Sequence, residues 1–192
     1  MTPPFSLFFM KPNENLLHLL DEEKNLMVGN GAWSYTLNRI DPVKLSSNKF
    51  GSQKITSSNI SSDSVVFDGR TPCYEPLLAL NGSSMNGCQI IKCRLILYRD
   101  VNTHEPTNFQ LYTIHVGTGD TRFPTSGKWI VLRGTQSDSK AILYQLQPNS
   151  EKSLPPLVLL KGDDNILFLL DNKMNCMTGN DYCGYTLNRV TK

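Results

Sequence analysis

The sequence carries none of the short strings that mark the common enzyme sites. Gly-x-Ser-x-Gly, His-Glu-x-x-His and the phosphate-binding glycine loop are all absent. With them go the nucleophile turn, the helical zinc pair and the cradle of backbone amides that each string builds. Gly117-Thr118-Gly119-Asp120-Thr121 matches only part of a phosphate loop, and with no helical pattern after it, it reads as a hairpin loop. Charge is sparse as well: 19% of the 192 residues are charged and the net charge is +2. Lys and Arg are scattered singly, so no basic stripe is set against a nucleic-acid backbone, and nucleic acid is not an expected partner. No window approaches the ~18 to 20 apolar residues of a membrane span, so no transmembrane segment is expected. The run from Phe5 to Met10 is too short for one, and it lacks the basic start and small-residue cleavage site of a secretory signal. Cys-x-x-Cys does not occur, and helical patterning is confined to Glu75–Leu80.

What the chain does have is a repeat. Residues 11 to 40 and 161 to 190 align without a gap at an offset of 150 and are identical at 15 of 30 positions, including all of Tyr35 to Arg39 over Tyr185 to Arg189. An internal repeat fixes architecture before any local reading does. If 161–190 closes a domain, 11–40 closes an earlier copy whose beginning is absent, and Met1 need not be the natural start. Residues 1–40 are therefore read as the C-terminal remnant of a preceding copy. Between the copies, eight of the residues from Lys44 to Ser64 are serine, which makes 41–63 a solvated linker. Residues 64–192 form the complete domain. About three strands are marginal alone in water, so the remnant is expected to be loosely ordered, packed outside the complete domain, or completed by upstream sequence. Deleting 1–45 is expected to leave the unfolding of the rest nearly unchanged.

Within the complete domain the apolar period is mostly two, which argues for strands. Ile91, Cys93, Leu95 and Leu97 alternate with their neighbours up to Arg99-Asp100. Further strands are expected at 64–67, 109–116, 128–133, 141–146, 157–160, 165–170 and 185–190. The Gly162-Asp163 pair suits a hairpin turn that needs positive φ. Eight consecutive antiparallel strands leave no free edge if the sheet closes. The expected fold is thus all-β, an eight-stranded up-and-down barrel of lipocalin-like form, with a two-sheet sandwich as the alternative. A barrel of this size is filled by side chains or has room for one small ligand.

Five cysteines are present. Cys176 lies over Leu26 and Cys183 over Trp33 in the repeat, so both read as packing residues, as does Cys93 on the apolar face of its strand. Cys73 and Cys88 lie outside strands, fifteen positions apart. They are candidates either for a disulfide, worth ~3 kcal/mol for a loop of this length, or for thiolate ligation of a soft metal such as Cu(I). His18, His104 and His115 do not cluster with them in sequence. Asp163, Asp164 and Asp171 sit at turns, where Asp is favoured for its own backbone hydrogen bonds. Alternation places Tyr185, Leu187 and Arg189 on one strand face. Arg189, with Tyr185 and its repeat equivalent Arg39, is a candidate for a barrel-rim site that grips a carboxylate in bidentate fashion. The alternative is a structural pair between Arg189 and an Asp such as Asp171. A non-catalytic protein with no cofactor is the expectation.

The order of short motifs adds a further indication. Phe67-Asp68-Gly69-Arg70-Thr71-Pro72-Cys73 leads to Leu97-Tyr98-Arg99-Asp100. Gly127-Lys128-Trp129, Leu167-Phe168-Leu169-Leu170-Asp171 and Tyr185-Thr186-Leu187-Asn188 follow. In this order, over about 64 to 190, they resemble the N-terminal domain of the NlpE-like lipoproteins, the bacterial copper-resistance and envelope-stress family. Segment 5–40 resembles the end of another copy. The resemblance implies a lipocalin-like barrel in a lipid-anchored, non-enzymatic protein of the periplasm or outer membrane, with an envelope protein as partner. A barrel-type carrier of a small ligand or Cu(I) is the second reading. The chain departs from the family where Cys73-Tyr74-Glu75-Pro76 replaces its Cys-x-x-Cys, which leaves the metal pair incomplete. The lipobox cysteine and signal peptide are also missing, so membrane anchoring would depend on upstream sequence. An oxidising envelope would favour the Cys73–Cys88 disulfide.

Overall fold

A computed structural model describes residues 6–39, 63–80, 86–117, 119, 121–135, 138–149 and 156–190. Apart from Asp63, the serine-rich linker lies outside the described residues. Eight strands close into an antiparallel barrel: β4 (Ser64–Pro72), β5 (Ile90–Arg99), β6 (Pro106–Val116), β7 (Arg122–Arg133), β8 (Ile142–Pro148), β9 (Leu157–Lys161), β10 (Ile166–Leu169) and β11 (Thr186–Arg189). Each strand pairs with the next in sequence, and β11 returns to β4 through Leu187↔Gly69 and Arg189↔Phe67. No barrel strand is left with an open edge.

Alternation directs one face of each strand inward. Phe67, Cys93, Leu95, Leu97, Phe109, Leu111, Trp129, Leu146, Leu159, Leu167 and Leu187 are buried in one core. The Trp129 indole N–H, which would otherwise be a buried donor without a partner, donates to the Tyr98 carbonyl at 2.8 Å. A short helix, α1 (Glu75–Ala79), adds Leu77 and Leu78 to this core. At the closing seam a side chain on Gly69 would meet the Thr186 carbonyl at 2.5 Å, so the strands approach this closely only over glycine.

Several strands are longer than periodicity suggested, β4 and β7 most of all. β4 runs on to Pro72 through Asp68 and Arg70, and β7 begins at Arg122. Asp68, Arg70 and Arg122 lie on the outer face, where a strand tolerates charge. The β9–β10 turn also differs from expectation, because Gly162 is not among the residues with positive φ. The Asp163 carboxylate makes the turn by accepting from the N–H groups of Asn165 and Ile166. Gly162 is small for another reason: a Cβ there would meet Leu26 and Phe168 at 2.8 Å.

The repeat forms a separate three-stranded sheet, with β1 (Phe8–Asn13), β2 (Leu16–Leu20) and β3 (Thr36–Asn38) in the order β1-β2-β3. It matches β9–β10–β11 at an offset of 150 in register, with Phe9↔Leu19 like Leu159↔Leu169 and Leu17↔Leu37 like Leu167↔Leu187. Even the irregular loop is copied. Lys24 and Met174 both adopt positive φ, and the Met27 and Met177 N–H groups donate to the Leu19 and Leu169 carbonyls.

This sheet packs on the outside of the barrel. Leu16 and Leu26 join Leu143, Val158, Ile166, Phe168, Leu170 and Cys176 in a second buried cluster. That contact argues against the expectation that residues 1–45 can be removed at little cost, since removal would expose Ile166 and Phe168, which are now fully buried.

Candidate functional site

The two copies meet about a local two-fold axis, and the polar residues of the shared pentapeptide build it. Thr36 and Thr186, equivalent positions, place their hydroxyls 3.0 Å apart. The Asn188 amide oxygen accepts from the Gly29 N–H at 2.9 Å, and Asn38 accepts from the Gly179 N–H at 2.7 Å. The two amide nitrogens donate to the carbonyls of Asn30 and Asn180. Each bond on one side thus has its counterpart on the other, the pattern of an isologous interface. His18 replaces Phe168 in the repeat and meets that ring edge-on at 5.6 Å. Its ring nitrogens contact the Thr36 hydroxyl at 2.8 Å and the Met27 carbonyl at 2.9 Å, and burial holds its pKa below the ordinary value.

An open cleft of about 220 Å³ lies along this axis. Its walls are the equivalent loops 30–38 and 180–188, with Arg70 contributed by β4. Trp33 and Tyr182 stand half-exposed on the two sides. Most of the polar lining is already engaged. The Asn30 side chain accepts from the N–H groups of Ala32 and Trp33, and Asn180 does the same for Tyr182 and Cys183. Arg70 is different: its Nε is buried without a hydrogen-bond partner among the described residues. Lys92 lies directly across the β4–β5 ladder from it, so two like charges sit side by side on the outer wall. The neighbouring charge is neutralised, because Arg94 grips Asp68 through two bonds of 2.8 and 2.6 Å. The cleft lining therefore combines one guanidinium, Arg70, with one carboxylate, Asp181, and the rings of Trp33 and Tyr182, and a guanidinium suits an anionic group on a partner.

A space inside the barrel is far smaller. Among its core leucines and Cys93 remains a space of about 20 Å³ with a wholly apolar lining, room for about one water that would find no polar partner.

The sequence-derived candidates do not converge. Tyr185 is a core residue, edge-on to Tyr74 at 5.8 Å, with its phenol pushed up to about 12 by burial. Arg189 is half-buried and Arg39 exposed, at the ends of their strands, and none of the three lines the cleft. Alternation sends positions 185 and 187 into the barrel while 186 and 188 face the sister copy. No ion pair joins Arg189 to Asp171 among the described residues. Asp171 instead caps its own loop by accepting from the N–H groups of Lys173 and Asn175. Asp164 pairs with Lys161 at 2.6 Å, which lowers its pKa.

Cys73 and Cys88 are joined by a disulfide across the segment that carries α1. Burial pushes the thiols of Cys93 and Cys183 up to about 12 and that of Cys176 up to about 11. All three are therefore protonated at neutral pH, and thiolate is the nucleophilic and metal-binding form. Cys93 and Cys176 are buried, whereas Cys183 is only partly buried and lines the cleft opposite its equivalent Trp33. Among the described residues, no group of three or more His, Cys, Asp or Glu is placed to hold a metal ion. Nor is any helix among them long and apolar enough to cross a membrane.

The sequence reading passed over Thr36, Thr186, Asn38, Asn188 and Arg70. The first four had a signal, since identical polar residues recur between the lumen-facing positions of both copies. Arg70 had none. No family model, curated protein or solved structure matches this chain.

Proposed function

We propose that the chain is a non-catalytic module of the bacterial envelope that works by contact with another protein, with the barrel as a filled scaffold. The observation that carries this reading is the contrast between the two spaces. Between the core leucines and Cys93 the barrel leaves a space of about 20 Å³, while the open cleft outside it measures about 220 Å³. A carrier needs a chamber, and pockets that bury a small ligand typically run to about 300–1,000 Å³. A Cu(I) site at Cys73 and Cys88 needs thiolates, and those sulfurs are bonded to each other. The cleft, by contrast, is open, lined by Trp33 and Tyr182, and carries Arg70 and Asp181 as its charged groups. An acidic side chain or a C-terminal carboxylate of a partner protein suits it. Assignment to the envelope rests on the motif order from Phe67 to Asn188 and its resemblance to the NlpE-like family, and the disulfide is compatible with an oxidising compartment.

The test places a photoreactive phenylalanine analogue at Tyr182. A control analogue goes at Val131, an exposed position near the end of β7 that does not line the cleft. Both are made in the full chain inside cells. A discrete protein adduct from position 182, absent from 131 and lost on Arg70→Glu, is the expected result. Equal labelling from both positions, or none from 182, would refute contact through the cleft. Stoichiometric binding of Cu(I), or of a fluorescent fatty acid, would favour the carrier reading instead.

A further inference from the structure

We infer that the outward face of the β1–β2–β3 sheet is the inner wall of a second barrel, and that its occupant is a five-stranded wall like β4–β8, supplied by polypeptide preceding β1. Four observations lead there. The first is the contrast between equivalent residues. Leu187, Leu167 and Leu159 are 2%, 0% and 2% exposed, and they face the barrel core. Leu37, Leu17 and Phe9, the residues 150 positions earlier in the same registers, are 54%, 38% and 39% exposed. Leu7 is likewise exposed where Leu157 is buried. These side chains form one apolar face on one sheet, and a contiguous apolar face of this kind marks an interaction surface.

The second observation identifies the cover. In the complete copy, the same positions are packed by Phe67, Leu77, Leu95, Leu111, Trp129 and Leu146, from β4 to β8 and α1. Third, both outer edges of the small sheet lack a strand partner among the described residues, since β1 and β3 each pair only with β2. Their equivalents β9 and β11 pair with β8 and β4. The unfilled edges are therefore the two that a β8-like and a β4-like strand would occupy, and such edges are templates for pairing. Fourth, the opposite face of the sheet is already committed. Leu16, Leu20 and Leu26 pack against Ile166, Leu170 and Cys176, their own equivalents or close neighbours of them, about the Thr36–Thr186 axis. A second barrel built on β1–β3 would extend away from the first, so the described residues of the first barrel do not obstruct it.

Chain order decides the source. Strands β4–β8 precede β9–β11 in the complete barrel, so their counterparts belong before β1. The intact molecule is then two barrels back to back about a local dyad, with the polar cleft on the axis between them.

The experiment compares the 192-residue chain with the protein recovered from the cells that make it. Both are weighed intact, peptide-mapped, and footprinted with hydroxyl radicals. The natural polypeptide is expected to exceed 21.6 kDa through an N-terminal extension. Leu17 and Leu37 should oxidise in the 192-residue chain and lose that oxidation in the natural polypeptide, while Val131 stays equally reactive in both. A natural polypeptide of 21.6 kDa overturns the inference. So does an extended one in which Leu17 and Leu37 oxidise as before. Protection within the 192-residue chain that disappears on dilution overturns it too, because it places a second copy on that face.

Discussion

Leu16→Ala tests whether the three-stranded sheet is part of the folded unit or an ornament on it. Leu16 is 1% exposed and packs with Ile166, Phe168, Leu170 and Val158, which belong to the barrel or the loop beside it. Truncating a fully buried leucine costs the transfer term plus a cavity term, about 2–5 kcal/mol in all. A value of about 3 kcal/mol, at an m-value of about 2 kcal/mol per molar urea, lowers the unfolding midpoint by about 1.5 M. The chain has two tryptophans, Trp33 beside the small sheet and Trp129 inside the barrel. Labelling with 5-fluorotryptophan gives one resonance for each without a further mutation. In the parent chain both resonances should report a single urea transition, and in Leu16→Ala both should move together. The reasoning is refuted if Trp129 unfolds at its original midpoint while Trp33 is released at lower urea. In that case the cluster joining the two parts contributes nothing to the barrel.

Other perturbations probe separate features. His18 has a pKa lowered by burial, with the Met27 carbonyl acting in the opposite direction. Its contribution to stability is therefore complete above the unfolded value near 6.5 and is lost as the pH falls below that towards the lowered folded value. Urea midpoints taken at about pH 7.5 and about pH 5 should show this loss, and His18→Phe, which restores the residue of the sister copy, should make it smaller. An unchanged pH dependence in that variant would assign the effect to another group. Replacing Cys73 and Cys88 with serine should cost about 3 kcal/mol by chemical denaturation. Thiol counting on the denatured, unreduced parent should give three free cysteines against five after reduction. Asp68→Ala should cost about 3 kcal/mol because it leaves the Arg94 guanidinium largely buried and unpaired, and a cost near zero would mean that the pair is solvated.

The barrel was legible because it depends on local rules. Period-two alternation in 91–97 and the turn residues between strands mark the elements, and the need to eliminate edges closes them. The strand ends were less legible. Asp68 and Arg70 look like a loop in sequence, yet they continue β4, because an outer face of a barrel accepts charge as readily as a turn does. The repeat columns correctly marked Cys176 as packing. They misled at Cys183, since its counterpart Trp33 is itself half-exposed at the cleft. The rim candidates are not brought together either. Alternation put Tyr185, Leu187 and Arg189 on one face correctly, but Tyr185 lies deep in the core, against Tyr74, rather than at an opening.

By itself, the sequence determined the class of fold, the duplication and its offset, since these are written in periodicity and identity and need no knowledge of what touches what. Only the tertiary structure decided that the two copies oppose each other about a dyad, because Thr36 against Thr186, and Asn38 against Gly179, are contacts across more than a hundred residues. It also decided which space is open. Whether eight strands enclose a chamber depends on how their side chains fill the interior, and here leucines and aromatic rings occupy it together with the buried Thr71, Thr113 and His115. The cleft of about 220 Å³ lies outside, where Arg70 of β4 meets two loops that the sequence had shown only to be alike.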